Sequence, residues 1–371
     1  MTGTMQAAVL PVAGAPLQVE TIPIPQPRRG EVLVRVAACG VCHTDLHVIK
    51  GEVAFPTPAV LGHEISGTVV ELGDGVTAPA VGTRVVGTFI LPCGSCPACL
   101  RGRDDICEPF FTFNRLGGTL FDGETRLFRE DGTPLAMYSM GGLAEYAVLP
   151  VSGVFPLPDG VPLEGAAILG CASLTAYGAV RHGAELHLGE RVVVVGTGGV
   201  GSLVVQFARA QGAAQVVAVD ISREKLEAAA ALGATDLVDA SSENPVERVV
   251  ALTQGGADVA FEALGRPETF LQAVEMLRDG GRMVAVGIAP VGERAGVEIT
   301  RLVRRALRIQ GSYGGRPRTD MPRLLSLVEQ GVLRPADSVT RRFALDEADA
   351  AYGALDRREI VGRAVVVMTP S

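Results

Sequence analysis

The sequence predicts an α/β protein of two domains, one built on a doubly wound parallel sheet and the other mostly β. The chain has 371 residues, more than a single hydrophobic core usually serves. From about residue 173, short apolar runs alternate with helical segments, whereas the earlier part holds short β-branched runs bounded by Gly or Pro. Because 47% of the residues are hydrophobic, each domain can bury its own core.

The alternating region predicts the parallel sheet. Apolar runs predict strands at 191–195, 216–220, 236–238, 257–262, 282–287 and 307–311, and helical spacing predicts helices at 199–211 and 224–232. Strands that alternate with helices in this way lie parallel, and the helices cover both faces of the sheet. We therefore expect residues 173–311 to form one domain.

The rest of the chain predicts the mostly β domain. Its runs at 31–37, 66–72 and 84–89 are short and bounded by Gly or Pro, a pattern of irregular β structure. The tail predicts a helix at 321–330 and a final strand at 363–368, and we expect it to return to the first domain. The predicted bounds of this domain are 1–172 and 312–371.

Composition limits the partners. With 33 Lys and Arg against 41 Asp and Glu, the net charge is −8, which disfavours binding to nucleic acid or to an anionic membrane. No apolar run is long enough to span a bilayer and no signal peptide is recognisable, so a cytoplasmic location is expected. One basic cluster is interpreted as a solvated face; it comprises Arg301, Arg304, Arg305 and Arg308.

Four of the seven cysteines lie in one short loop, which we place at about residues 92–108. They are Cys93, Cys96, Cys99 and Cys107. Four thiolates complete the tetrahedral coordination of Zn²⁺, so this spacing predicts a structural zinc site, with an iron–sulfur cluster as the alternative. Zinc would supply much of the folding free energy of such a loop, on the order of 10 kcal/mol.

A glycine-rich loop between a predicted strand and a predicted helix indicates a nucleotide site. The loop comprises Gly196, Gly198, Gly199, Val200 and Gly201. Such glycines permit a tight turn and close approach of a pyrophosphate, and the helix N-terminus attracts the phosphates. Asp220, at the end of the next predicted strand, can accept the ribose hydroxyls of NAD and repel the 2′-phosphate of NADP. Lys225 is a further candidate for the ribose. The predicted sheet is therefore an NAD-binding, Rossmann-type domain.

Three further metal ligands are separated in sequence, and their spacing alone does not join them. They are Cys42 in GVCHTDLH, His63 in GHE and Cys171 in GCAS. Taken by itself, Cys171 is more simply explained as a small buried residue before a helix.

The order of the motifs joins them. GVCHTDLH, GHE, the four-cysteine loop, GCASLTAYGA and VVVVGTGGVG follow one another as in the zinc-containing medium-chain alcohol dehydrogenases, and the chain resembles that family along nearly its whole length. The resemblance implies a GroES-like catalytic domain and two zinc ions per chain, with Cys42, His63 and Cys171 at the catalytic zinc. Cys39 is left as a buried strand residue.

The resemblance also assigns roles around that zinc. Two thiolates and one imidazole leave a fourth position for water or for the substrate oxygen, where zinc acts as a Lewis acid during hydride transfer to nicotinamide. By resemblance, Thr44 contacts the substrate oxygen and His47 passes the proton outward. The remaining assignments are Asp45 as the partner of the histidine ligand, Glu64 behind the metal, and His43 and Arg363 at the cofactor pyrophosphate.

The expected activity is reversible hydride transfer between NAD and a primary aliphatic or aromatic alcohol or its aldehyde. Phe89, Val53 and Met137 match or adjoin substrate-channel positions, and their apolar character favours uncharged small-molecule substrates. His47 and Val53 differ from the glutathione-dependent formaldehyde branch, which carries a tyrosine and an acidic residue there. The long connector at 108–141 resembles the liver-type branch and favours a homodimer.

Several other functions remain possible from the sequence. A polyol dehydrogenase or a predominant aldehyde reductase of the same family would carry the same motifs. A nucleotide-binding relative without activity is more remote, because no predicted zinc ligand or relay residue is missing. A zinc-finger-like nucleic-acid module is disfavoured by the acidic charge and by the lack of an adjacent basic helix.

Overall fold

The computed structural model describes residues 3–368. The chain divides into two compact units, one formed by Met1–Cys171 with Arg316–Ser371 and the other by Ala172–Gly315. The strands are β1 Thr4–Leu10, β2 Gln18–Pro23, β3 Glu31–Val41, β4 Ala59–Val60, β5 Ile65–Leu72, β6 Arg84–Gly87, β7 Leu127–Phe128, β8 Pro134–Met137, β9 Tyr146–Pro150, β10 Val154–Pro156, β11 Arg191–Val195, β12 Gln215–Asp220, β13 Asp236–Asp239, β14 Ala257–Glu262, β15 Leu277–Ala285, β16 Arg308–Gly311, β17 Val339–Ala344 and β18 Arg363–Val367.

Eleven α-helices accompany these strands in the described part of the chain. They are α1 His43–Ile49, α2 Pro97–Leu100, α3 Leu163–Ala166, α4 Ala172–Gly178, α5 Gly201–Ala210, α6 Arg223–Ala231, α7 Pro245–Leu252, α8 Pro267–Glu275, α9 Ile299–Arg304, α10 Pro317–Glu329 and α11 Ala348–Asp356. Short 3₁₀ and π segments join several of them, including a π-helical turn at Phe110–Arg115.

The first unit contains two sheets. Strands β10, β6, β5, β3, β18 and β17 lie in that order, with β9 also paired to β3, and a smaller sheet has the order β2, β1, β4, β8, β7. Strand β18 pairs antiparallel with β3, placing Val366 opposite Cys39. The C-terminal tail thus adds a strand to the first unit beside the end of β3, from which α1 begins. Cys39 is fully buried there.

The second unit is built on one parallel sheet with the order β13, β12, β11, β14, β15, β16. Its central strand β14 is buried at all six positions, as expected for a sheet covered on both faces. Core side chains from neighbouring strands, including Val193, Val217 and Ala260, pack in one cluster. The predicted α/β class with a doubly wound parallel sheet is confirmed.

Two elements begin earlier than their sequence patterns predict. Strand β15 starts at Leu277 rather than at 282. The sequence pattern does not predict this start, because the exposed Arg-Asp-Gly run after Leu277 is not hydrophobic. Helix α10 starts at Pro317 rather than at 321. Proline is well suited to the first position of a helix, and the Asp320 carboxylate accepts a hydrogen bond from the backbone N–H of Arg316 at 2.6 Å.

The arginine cluster of the second unit faces outward. Helix α9 has no buried residue, and its Arg301 pairs with Glu275 while Arg305, which follows it, pairs with Asp279. In the part of the chain described, no single helix is long and apolar enough to cross a membrane. One bent pair, Leu163–Gly170 followed by Ala172–Gly183, passes that test by length and composition alone.

The long connector is fixed to the first unit by a buried ion pair. The guanidinium of Arg126 donates two hydrogen bonds to the Glu31 carboxylate of β3, at 3.0 and 2.6 Å, and a third to Asp122. The Arg126 side chain is only 4% exposed. Burial disfavours its charge, but the bonds to Glu31 and Asp122 raise the pKa of Arg126, so it stays protonated.

We expect Arg126→Met to lower the free energy of unfolding of this unit by about 3–5 kcal/mol, because it leaves the buried Glu31 carboxylate without an opposite charge, with the backbone N–H of Arg28 still donating to it. Arg28→Met is the matched control. Arg28 also pairs with Asp122 but its side chain is 48% exposed, so its loss should cost about 0–1 kcal/mol. Urea unfolding followed by circular dichroism measures both, and equal losses would contradict this account.

Candidate active site

The four-cysteine loop folds into a tetrahedral thiol cluster. Sγ of Cys93 lies 4.0 Å from Sγ of Cys99, and Sγ of Cys96 lies 4.0 Å from Sγ of Cys107. A tetrahedron of sulfurs around Zn²⁺ at 2.3 Å has edges of about 3.8 Å. All four ligand atoms lie within 4.8 Å of one another, and the cluster contains neither histidine nor carboxylate. The donor set fits a closed zinc site.

Backbone N–H groups donate hydrogen bonds to these sulfurs. Backbone N–H groups of Cys93 and Cys96 donate to the sulfurs of Cys107 and Cys93, each at 3.3 Å. Burial opposes ionisation of Cys93, but backbone N–H groups of Ser95 and Cys96 lower the pKa of Cys93 to about 6. Burial raises the pKa of Cys107 to about 11. Zinc binding would therefore displace a proton from Cys107 at neutral pH.

An arginine from the C-terminal tail anchors the cysteine loop. Arg318, on α10, donates to both carboxylate oxygens of Asp104 and also to the backbone oxygen of Cys99. Asp104 is buried, and Arg318 brings a positive charge next to the thiol cluster. Sequence reasoning missed this contact because 214 residues separate the two partners.

The structure brings Cys42, His63 and Cys171 together, with Glu64 beside them, so that one ligand atom of each lies within 4.8 Å of the others. Cys42 lies between β3 and α1, His63 follows β4, and Cys171 precedes α4. All are buried, and His63 Nε2 has no hydrogen-bond partner among the residues described. Because buried polar atoms normally have a partner, this free nitrogen indicates a bound group. Two thiols with one imidazole are a ligand set that suits zinc.

Asp45 orients the imidazole. Its carboxylate is fully buried and accepts hydrogen bonds from His63 Nδ1 at 3.0 Å and from the backbone N–H of Gly62 at 3.1 Å. A carboxylate only accepts, so Nδ1 carries the proton and Nε2 can face the metal. Burial disfavours the imidazolium, but Asp45 and Cys42 outweigh burial and raise the pKa of His63 to about 10 in the metal-free protein.

A tyrosine that sequence reasoning missed completes this arrangement. The hydroxyl of Tyr352, on α11, donates to the second oxygen of Asp45 at 3.0 Å. Burial, followed by the nearby Asp45 charge, raises the pKa of Tyr352 well above its usual value, so the hydroxyl remains a donor. The partners are 307 residues apart, which no local motif reveals.

Glu64 and Arg363 form a second buried pair behind the cluster. Arg363 begins β18, and its guanidinium donates to the Glu64 carboxylate. Burial disfavours the charge of Arg363, but Glu64, Cys42 and Cys171 raise its pKa. A Cβ at Gly40 would overlap the Glu64 carboxylate, so only glycine fits there. The predicted contact of Arg363 with the cofactor pyrophosphate stays a prediction.

The predicted relay residues lie on α1. Thr44 and His47 are three positions apart and so share one face of the helix. The Thr44 hydroxyl lies 3.6 Å from the Cys42 sulfur, whereas His47 is partly exposed and its Nδ1 hydrogen-bonds to Glu52. Sequence reasoning missed Glu52. His43, predicted at the pyrophosphate, is exposed at the first position of α1.

Aromatic rings surround the imidazole. The rings of Phe89 and Tyr138 lie 6.1 and 5.9 Å from the ring of His63, both edge-on, and Phe55 packs against Tyr138 at 4.9 Å. The assignment of Phe89 to the substrate pocket stays a prediction.

The other two predicted pocket residues differ from Phe89. The Met137 sulfur accepts a hydrogen bond from the backbone N–H of Arg126 at 3.2 Å, whereas the ring of its neighbour Tyr138 lies beside His63. The assignment of Met137 to the substrate pocket stays a prediction. Val53 is partly buried, and its N–H donates to the His47 carbonyl.

The nucleotide loop has the expected form. Gly196 follows β11 with φ of +85°, and a Cβ on Gly201, the first residue of α5, would overlap the Gly196 carbonyl. The space around Gly198 is open, as close approach of a phosphate requires, and Gly199 and Val200 are partly exposed beside it. Lys225 lies partly exposed in the first turn of α6.

Asp220 is fixed by hydrogen bonds at the end of β12. One carboxylate oxygen accepts from the backbone N–H of Thr197 at 2.8 Å and from its hydroxyl at 3.2 Å. The other accepts from the N–H groups of Ile221 and Ser222 at 2.8 and 3.1 Å. Asp220 therefore also ties the glycine loop to the neighbouring strand, a role that its position in the sequence did not reveal.

This chain is similar in sequence to known proteins. Residues 28–159 match the family model for the alcohol dehydrogenase GroES-like domain, and residues 199–330 match the one for zinc-binding dehydrogenases. The S-(hydroxymethyl)glutathione dehydrogenase of Paracoccus denitrificans is 32% identical over 98% of this chain and 99% of its own. Several other relatives carry the same name.

Solved structures of dehydrogenases also superpose on this chain. The benzyl alcohol dehydrogenase of Acinetobacter calcoaceticus superposes with a TM-score of 0.93 at 32% identity, covering 99% of this chain and 100% of its own. A zinc-binding dehydrogenase of Sinorhizobium meliloti, described as bound to NADP, gives a TM-score of 0.82 at 30% identity, covering 98% and 99%. With this fold, two candidate zinc sites and these relatives, the chain belongs to the zinc-containing medium-chain alcohol dehydrogenase family.

Proposed function

We propose that this oxidoreductase uses NAD and two zinc ions per chain to interconvert primary aliphatic or aromatic alcohols and their aldehydes. Membership of the family establishes a zinc-binding alcohol dehydrogenase with a nicotinamide cofactor. The observation that carries the proposal is the buried cluster of Cys42, His63 and Cys171, in which Nε2 of His63 has no other partner in the described structure.

The roles of the protein groups follow from their positions. Zinc held by this cluster would supply Lewis-acid polarisation of the substrate oxygen. In this proposal the Thr44 hydroxyl, next to the Cys42 sulfur, accepts the alcohol proton as it releases its own, and His47, on the same helix face, passes the proton to solvent. Asp45 holds the proton of His63 on Nδ1 throughout.

The surroundings of the cluster support an aromatic or aliphatic substrate. Phe89 and Tyr138 present ring edges to His63, and an apolar wall offers few partners for additional hydroxyl groups. The similarity to a benzyl alcohol dehydrogenase agrees with this preference. A polyol dehydrogenase or a predominant aldehyde reductase is the alternative within the family.

The names of the sequence relatives favour a second candidate, an S-(hydroxymethyl)glutathione dehydrogenase. Against it stand His47 and Val53, at the two places where that branch carries a tyrosine and an acidic residue. Glu52 precedes Val53 and is acidic, but its carboxylate is already paired with His47 and Lys50.

The choice of NAD over NADP rests on Asp220. Its carboxylate is held at the end of β12 beside the glycine loop, where it would repel a 2′-phosphate. A relative with this fold is described as bound to NADP, so the choice between the two cofactors needs its own test. We further propose that the protein is cytoplasmic, on the basis of its composition. We also propose that it forms a homodimer, because its long connector resembles that of the liver-type branch.

For the metal, we expect Asp45→Asn to weaken zinc binding at the Cys42 cluster about 10–100-fold. The neutral amide makes a weaker hydrogen bond to Nδ1 of His63 than the charged carboxylate does. Zinc content during dialysis against a chelator measures the loss. Asp159→Asn, an exposed substitution in the same unit, should retain both zinc ions. Equal retention by both variants would contradict the role of Asp45.

For the substrate, we expect kcat/KM for benzyl alcohol to exceed those for sorbitol and for S-(hydroxymethyl)glutathione by about 100-fold or more, since buried hydroxyls without partners cost about 1–3 kcal/mol each. NAD⁺ reduction followed at 340 nm measures all three. A preference for sorbitol would favour the polyol alternative, and a preference for the glutathione adduct would favour the second candidate.

For the cofactor, Asp220→Asn should raise the ratio of kcat/KM for NADP to that for NAD by about tenfold or more, because it removes a negative charge worth at least ~1.4 kcal/mol of discrimination while keeping the side chain's shape. Glu224→Gln, an exposed change on α6, is the charge-matched control and should leave the ratio as it is. An unaltered ratio in Asp220→Asn would refute the assignment.

A further inference from the structure

The loop that follows α1 ends that helix with a defined hydrogen-bond pattern. Lys50 caps the helix, and Gly51 follows with φ of +73°, a left-handed conformation that suits glycine. The N–H of Gly51 bonds to the Val48 carbonyl at 3.0 Å, and the N–H of Glu52 bonds to the His47 carbonyl at 2.9 Å. Together these two bonds make a Schellman motif.

A Schellman motif brings two particular side chains together. It commonly pairs apolar side chains at the third-last helical position and at the second position beyond the cap. Here those positions hold His47 and Glu52, and a charged pair replaces the apolar one. The backbone turn thus places the Glu52 carboxylate on the imidazole independently of the metal cluster.

The pair has a defined direction. The Glu52 carboxylate accepts from His47 Nδ1, and this hydrogen bond is the largest cause of a lowered pKa of Glu52, which is therefore ionised at neutral pH. The proton on Nδ1 leaves Nε2 as the basic nitrogen of His47. The side chains are 26% and 33% exposed, so the pair lies at the border of protein and solvent.

A lysine also lies near the carboxylate. Lys50 Nζ lies 3.4 Å from Glu52 and 3.1 Å from Asp356, the last residue of α11. The same helix carries Tyr352, which bonds to Asp45 of α1. Helix α11 is thereby linked to α1 at two points, one beside the metal cluster and one beside His47.

We propose that Glu52 is a positioning residue for proton transfer, holding His47 in the tautomer whose Nε2 takes up the proton released by the alcohol. The proton passes to Nε2 and then to bulk solvent or buffer, while Glu52 stabilises the imidazolium between these steps and gains no proton itself. Because this role presupposes the alcohol oxidation proposed above, its test includes a measurement that needs no turnover.

The kinetic test compares three variants of the zinc-loaded enzyme. Glu52→Gln and Glu52→Ala should slow single-turnover NAD⁺ reduction by benzyl alcohol about tenfold, since a general base contributes about 10²–10⁴-fold and here is only mispositioned. KM for NAD and the zinc content should stay as in the wild type. Lys50→Met, which removes the other partner of Glu52, should change the rate less than about twofold.

The spectroscopic test uses the ¹⁵N shifts of the imidazoles in histidine-labelled protein, which contains five histidines. Wild type should show His47 protonated on Nδ1, and Glu52→Ala should lose that preference. A wild-type His47 protonated on Nε2, or an undiminished rate in both Glu52 variants, would overturn the proposal. If the wild type oxidised no alcohol, the proposed function would fail, while the shifts would still decide whether Glu52 holds His47.

Discussion

The candidate active site depends on one buried charge, the carboxylate of Asp45. It accepts hydrogen bonds from His63, from the backbone of Gly62 and from Tyr352, and so joins α1, the loop after β4 and the C-terminal helix α11. An isolated carboxylate without solvent would be strongly unfavourable, and these three donors make it tolerable. The same bonds set the side of the imidazole that faces the metal.

The two candidate metal sites differ in their ligands and in their burial. The four-cysteine cluster uses all four positions of a tetrahedron and is stabilised by backbone N–H groups and by Arg318. The cluster of Cys42, His63 and Cys171 offers two thiols and one imidazole, and the nearby Glu64 carboxylate is paired to Arg363. Buried ion pairs surround the second cluster, whereas the first is closer to the surface, so the second has the lower dielectric environment that favours catalysis.

The sequence predicted those parts of the molecule whose functional residues lie close together along the chain. The four cysteines and the glycine loop have fixed short spacings, so the thiol cluster and the strand–loop–helix turn at Gly196 followed directly. The resemblance joined Cys42, His63 and Cys171, which spacing alone did not, and the structure brings them together.

Contacts that depend on tertiary structure were not predictable. Tyr352 and Arg318 reach their acidic partners across 307 and 214 residues, and no periodic pattern encodes such pairs. Tyr138 was missed for a different reason, since the resemblance pointed to its neighbour Met137 and did not show which of the two side chains lies beside His63. Glu52 is close to His47 in sequence, but their contact depends on the Schellman turn, which the glycine after α1 signals.

We propose that the Cys42 cluster is an open catalytic zinc site and the four-cysteine cluster a closed structural one. The most direct measurement is zinc content per chain and NAD⁺ reduction by a primary alcohol, followed together during stepwise chelation. We expect two zinc ions per chain, with activity lost as the more labile one leaves. One zinc per chain without turnover, or activity that persists until the second zinc leaves, would show that the Cys42 cluster is not the catalytic zinc site.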